Sequence, residues 1–108
     1  MIRISKRCNS LLKQNISIYI DADNISHKNC QSILDTITKK GKVVSSTIYG
    51  DWTKANIRPW VKKALQNDIQ LVNVERRKGK NSSDMRMCVD IMEDLFEKNK
   101  IDIFCLVT

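Results

Sequence analysis

The sequence predicts an α/β fold: an open parallel sheet with helices on both faces. Three observations carry this. Four apolar, largely β-branched runs alternate with three stretches whose apolar residues recur at helical spacing. The connections between the runs have the length of crossover helices, which makes the strands parallel. The first and most sheet-like run ends abruptly in acids, and the carboxyl ends of strands are where such sheets bind ligands.

That first run is Ile16-Ser17-Ile18-Tyr19-Ile20, and it leads directly into Asp21-Ala22-Asp23-Asn24. β-Branched and aromatic residues suit a buried strand, whereas Asp and Asn favour its end. Ser26 is placed to cap a helix in which Cys30, Ile33, Leu34 and Ile37 fall at i, i+3, i+4 and i+7. Lys39 and Lys40 suit its last turn, and Gly41 is placed as its C′ residue. A second strand covers 43–49 and closes on Gly50-Asp51. Asn56 or Ile57 opens the next helix, with Pro59 in its first turn and Trp60, Val61, Ala64 and Leu65 as its stripe. Asn67-Asp68 breaks it, and 69–74 alternates as a third strand. After a charged loop, Ser82 or Ser83 caps a long helix whose buried stripe is expected to be Met85, Cys88, Val89, Met92 and Phe96. The fourth strand covers 101–107. The order is β-α-β-α-β-α-β. Residues 1–15 are basic, with little periodicity, and read as a loosely docked leader ahead of a domain spanning 16–108.

A chain of 108 residues accommodates one small domain. Its 42% hydrophobic and 29% charged residues are ordinary for a globular protein. No apolar run approaches the ~20 residues of a membrane span, and no apolar h-region follows the basic start. The expected compartment is therefore the cytoplasm, with no membrane partner. The four cysteines have no paired spacing that would suit zinc. Cys30, Cys88 and Cys105 fall on apolar positions and are expected to be buried free thiols.

The net charge of +7 gathers in clusters: Lys39, Lys40 and Lys42; Lys54, Arg58, Lys62 and Lys63; Arg76, Arg77, Lys78 and Lys80. Solvated helix faces would account for these, and so would a polyanionic partner, nucleic acid first. The third cluster runs directly into Asp84. Helix N-termini lie at the carboxyl edge of a parallel sheet, so Asp84 shares an edge with Asp21, Asp23 and Asn24. Clustered carboxylates repel one another unless a cation sits among them. A hard ion such as Mg²⁺ takes oxygen ligands, activates water and neutralises charge on a phosphate. Asx-turns and helix caps would use the same residue types, so the combination carries the argument rather than any one acid. Lys80 and Asn81 abut Asp84 and are the best candidates for substrate contact, with Arg76, Arg77 and Lys78 behind them. His27 is expected on the surface, Trp52 and Trp60 in packing, and Asp51 in a turn.

At three places the sequence resembles the NYN-domain family of the PIN-like ribonuclease superfamily. These are Ile18-Tyr19-Ile20-Asp21-Ala22-Asp23-Asn24, with its Asp-x-x-Asn spacing; Ile48-Tyr49-Gly50-Asp51-Trp52; and Gly79-Lys80-Asn81-Ser82-Ser83-Asp84 with the following Cys88-Val89-Asp90-Ile91-Met92-Glu93-Asp94-Leu95. The resemblance runs from about residue 16 to the end. It implies a PIN-like (Rossmann-like) fold and Mg²⁺- or Mn²⁺-dependent hydrolysis of RNA. Carried over by position, Asp21 and Asp84 are metal-binding acids and Asn24 a polar helper. Asp90 also matches an acidic, metal-site position, although a helical wheel sets it ~120° from Asp84 and nearly opposite the expected buried stripe. Family members continue beyond the fourth strand with a Ser-Asp-x-Asp-Phe type segment. The chain is therefore expected to be incomplete at its C-terminus and to be an incomplete or weakly active form.

Two other readings compete. A degenerate PIN-like domain would hold RNA on its basic clusters without cutting it. A haloacid dehalogenase-like phosphohydrolase would use Asp21 as nucleophile and Asp23 as acid/base, with Thr108 closing a second motif. That family needs a glycine-bearing turn after its aspartates, and Asn24-Ile25-Ser26-His27 has none. A homo-oligomer is compatible with the sequence.

Overall fold

The computed structural model describes residues 2–6, 14–74, 82–97 and 100–108, with backbone alone at 5, 6 and 82–84. Its elements are β1 (Ile2–Lys6), β2 (Asn15–Asp21), α1 (Cys30–Thr38), β3 (Lys42–Gly50), α2 (Pro59–Gln66), β4 (Gln70–Asn73), α3 (Ser82–Glu97) and β5 (Ile103–Val107). The strands form one sheet in the order β1-β5-β2-β3-β4. The pairs β2–β3, β2–β5 and β3–β4 are parallel, as the alternation predicts. From β2 the chain winds outward through β3 to β4, and α3 then returns it to the other side of β2. The strand order thus reverses between β2 and β5.

The first correction is at the N-terminus. Residues 2–6, read as part of a leader, form a strand that pairs antiparallel with β5. Without it β5, nearly all buried, would present an open edge. Ile2 packs against the core on one face of the sheet, and the alternation Ile2-Arg3-Ile4 is short enough to escape a periodicity test.

The helices cover opposite faces. On the first face, Ile16, Ile18 and Ile20 of β2 meet Ile33 and Ile37 of α1 and Trp60 and Ala64 of α2 in a single apolar cluster. On the second, Tyr19, Tyr49 and Phe104 meet Met87 of α3, with Ile91 against them. The Tyr19 and Phe104 rings stack at 6.4 Å. β2 is therefore buried on both sides, which explains its near-continuous apolar character.

α3 is rotated from its expected orientation. Met85, Val89, Met92 and Phe96 are exposed, Phe96 by 81%, and so is Cys88. The face toward the sheet is Met87, Asp90, Ile91 and Asp94, at i, i+3, i+4 and i+7. Tyr19 Oη donates to Asp94 Oδ2 at 2.6 Å, and Tyr49 Oη donates to Asp90 Oδ2 at 2.7 Å. The two phenols stand on the sheet's second face and need acceptors. The side of α3 that supplies them wins over the side with more apolar residues. Cys88 is consequently not the buried thiol expected of it, whereas Cys30 and Cys105 are buried.

Smaller differences concern element ends. A 3-10 turn over His27–Asn29 precedes α1, with Ser26 capping it. α2 starts at Pro59 rather than Asn56 or Ile57. Asp68 ends the α2 connection with a left-handed φ of 57°. Gly41 is not a left-handed cap. A side chain there would collide with the Gln14 carbonyl, which accepts the Lys42 N–H at 2.8 Å. No described helix is long and apolar enough to cross a membrane.

Candidate active site

The site is built at the carboxyl end of β2, beside the point where strand order reverses. Asp21 is the last residue of β2 and only 2% exposed. The chain turns immediately after it: the Asp21 carbonyl accepts the Asn24 and Ile25 N–H groups at 3.3 and 3.1 Å. The same turn closes on the side chain. Asp21 Oδ1 accepts the Asp23 N–H at 3.1 Å, and Oδ2 accepts Asn24 Nδ2–H at 2.7 Å. The spacing Asp21-x-x-Asn24 therefore has a direct physical meaning. Three residues of tight turn bring the amide back to hold the carboxylate.

The surrounding loops fix this turn. The Ala22 N–H donates to the Tyr49 carbonyl at 2.9 Å, and Trp60 Nε1–H donates to the Ile25 carbonyl at 2.8 Å. Trp60 is buried and Trp52 donates to the Val72 carbonyl, so both tryptophans serve packing, as expected. Asp51 accepts the Thr53 N–H and hydroxyl and fixes the turn after β3. Asp23 lies 3.9 Å from Lys54 Nζ. Asn24 stands between two open clefts. One, of about 410 Å³, includes Asp23, His27 and Trp60; the other, of about 340 Å³, includes Arg3, Met87 and Cys88.

The basic clusters separate. Lys54 stands at the site, whereas Lys42 pairs in register with Asn15, at the opposite edge of the sheet. Arg76, Arg77, Lys78, Lys80 and Asn81 lie outside the described residues. Asp84 is in the first turn of α3, and its side chain is likewise outside the description. The Met87 and Cys88 contacts at the second cleft put the N-terminal half of α3 beside Asn24.

Asp90 is engaged by the fold. Besides the Tyr49 hydroxyl on Oδ2, its Oδ1 faces Arg86 Nε at 3.3 Å. Burial is the main cause that raises the pKa of both Tyr49 and Tyr19 well above the ordinary phenol value, and the hydrogen bonds to Asp90 and Asp94 add to it. Sequence reading missed the role of Asp94 because its partner is 75 positions away. It also missed that β1 brings Arg3 to the second cleft, because the Ile2/Ile4 alternation is too short a signal.

Among the described residues no group of three His, Cys, Asp or Glu side chains is gathered to hold a metal. The donor chemistry at Asp21 nevertheless suits a hard cation. It is an oxygen donor held in one orientation, and Mg²⁺ is commonly bound through one or two carboxylates plus waters and substrate phosphates.

The family model of the NYN domain matches residues 15–108, from β2 through β5. No curated protein and no solved structure matches the chain.

Proposed function

As the chain belongs to the NYN-domain family, with its PIN-like, nuclease-type fold, we propose that it is a metal-dependent ribonuclease that hydrolyses RNA phosphodiester bonds. The observation that carries this reading is Asp21, buried at the carboxyl end of the central strand with its carboxylate held by Asn24. Asp21 and Asp84 would hold Mg²⁺ or Mn²⁺, with Asp90 supporting them from the tyrosine side of α3. The metal, when bound, supplies an activated water and neutralises charge on the phosphate. Asn24 fixes the rotamer of Asp21 and keeps both its oxygens oriented. The basic loop of Arg76, Arg77, Lys78, Lys80 and Asn81, together with Lys54, favours a phosphate backbone through salt-dependent contacts that carry no sequence information.

The test is incubation of single-stranded and structured RNA with Mg²⁺ or Mn²⁺. Wild type should cleave, and Asp21→Asn should bind RNA without cutting it. Asn24→Ala, which removes a partner of the ligand rather than the ligand, should lose about 10–100-fold in rate. Cleavage by Asp21→Asn at the wild-type rate would sink the assignment. RNA binding without cleavage by any form would instead favour a binding-only domain.

A further inference from the structure

The second cleft beside Asn24 is lined by Arg3, Asn24, Met87, Cys88, Leu106 and Thr108, and encloses about 340 Å³. It opens at the carboxyl edge between β2 and β5, the reversal point where open α/β sheets bind ligands. Its one described cation comes from β1, which lies outside residues 15–108 matched by the family. Arg3 pairs in register with Leu106, and Leu106 with Tyr19. The three residues share the second face of the sheet, and Asp21, two residues beyond Tyr19, shares it too. Arg3 is thus two strand spacings, about 10 Å, across the sheet from β2. Arg3 is exposed, and among the described residues its side chain has neither an ion pair nor a hydrogen-bond partner. The fold therefore leaves it available, whereas Arg86 is paired with Asp90 and Lys54 lies 3.9 Å from Asp23.

The lining has two characters. Arg3 and Asn24 are polar, and Asn24 also holds the Asp21 carboxylate. Leu106, Met87 and the Cys88 thiol form an apolar wall. A cation set beside an apolar wall suits one nucleotide of an RNA strand: the phosphate on Arg3, the base against the wall. A base already stacked in a duplex cannot present its face to that wall.

We propose that this cleft is a subsite for an unpaired nucleotide of RNA, with Arg3 of β1 holding a backbone phosphate next to the Asp21–Asn24 turn. The proposal rests on the nuclease reading for its ligand, but its test does not require catalysis.

Binding of a short fluorescent single-stranded RNA is measured by anisotropy on the full chain in EDTA, across a range of salt. Arg3→Ala should bind about three- to tenfold more weakly, with the salt slope reduced by about one. Arg3→Lys should recover part of the loss, because it keeps the charge and not the fork. In parallel, alkylation of Cys88 by iodoacetamide is followed by mass spectrometry. The single strand should slow it several-fold, and a duplex of the same sequence should not. The subsite is overturned if Arg3→Ala matches wild type in affinity and slope, if bound single strand leaves Cys88 alkylation unchanged, or if the duplex protects equally well. Failure of the wild type to cleave in Mn²⁺ would overturn the nuclease assignment and leave these metal-free readouts to decide the subsite.

Discussion

The two faces of the sheet are held by different means. The first is closed by two helices over a continuous apolar cluster that includes Ile16, Ile18, Ile37 and Trp60. The second is closed by one helix over a smaller cluster, pinned by two phenol–carboxylate hydrogen bonds. The first face is a matter of packing, which is non-directional and tolerant of small rotations. The second is directional: Asp90 and Asp94 fix the rotation of α3 about its own axis. This bears on the proposed function because α3 carries the candidate acid Asp84 and walls the cleft beside Asn24. The face that positions the site is thus the one whose geometry is set by hydrogen bonds.

The contrast can be broken hardest on the first face. Trp60→Ala removes a fully buried ring and the hydrogen bond to the Ile25 carbonyl. It should cost about 3–5 kcal/mol, read as a large drop in the denaturation midpoint. A loss below 1 kcal/mol would show that the apolar cluster does not dominate this face.

An intermediate effect is expected at Tyr49→Phe, which leaves Asp90 half-buried without its phenol partner. The cost should be about 1–3 kcal/mol. A shift of α3, detected as altered alkylation of Cys88, should accompany it if the hydrogen bond sets helix rotation.

The same residues give a pH dependence. Burial, and then the carboxylate partners, raise the pKa of Tyr19 and Tyr49; burial also raises Cys30, and Cys105 to about 11. In the unfolded chain these protons leave earlier, near 9.0 for the thiols and 10.0 for the phenols. The unfolded state then binds fewer protons than the native one, so stability falls as pH rises through that range. Below it the contribution is fully present. Urea midpoints between pH 8 and 11 should decline, and less steeply in Tyr19→Phe/Tyr49→Phe, each midpoint taken relative to that variant's own value at pH 8.

The smallest effect is expected on the outward side of α3. Phe96 is 81% exposed, so Phe96→Ser should change stability by no more than about 0.5 kcal/mol. A loss comparable to Trp60→Ala would mean that this side is covered in solution.

Much of the fold is legible in the chain. The alternation of apolar runs and amphipathic stretches depends on local periodicity, and it gives the parallel strands and all three α-helices. The Asp21-x-x-Asn24 turn is equally local, since a three-residue separation is enough to tie amide to carboxylate. Two features are not local. α3 has apolar residues on both sides, so its wheel offers Met85, Cys88, Val89, Met92 and Phe96 as a plausible core. Only tyrosines 41 and 75 positions away decide against it. β1 is five residues whose exposed Ile4 and Arg3 carry no burial signal by themselves, and only the open edge of β5 recruits them. Periodicity determined four of the five strands and the three α-helices, because it needs nothing beyond neighbouring residues. The tertiary structure decided which side of α3 meets the sheet and which residues line the cleft beside Asn24, because both depend on partners that come together only when the sheet is complete.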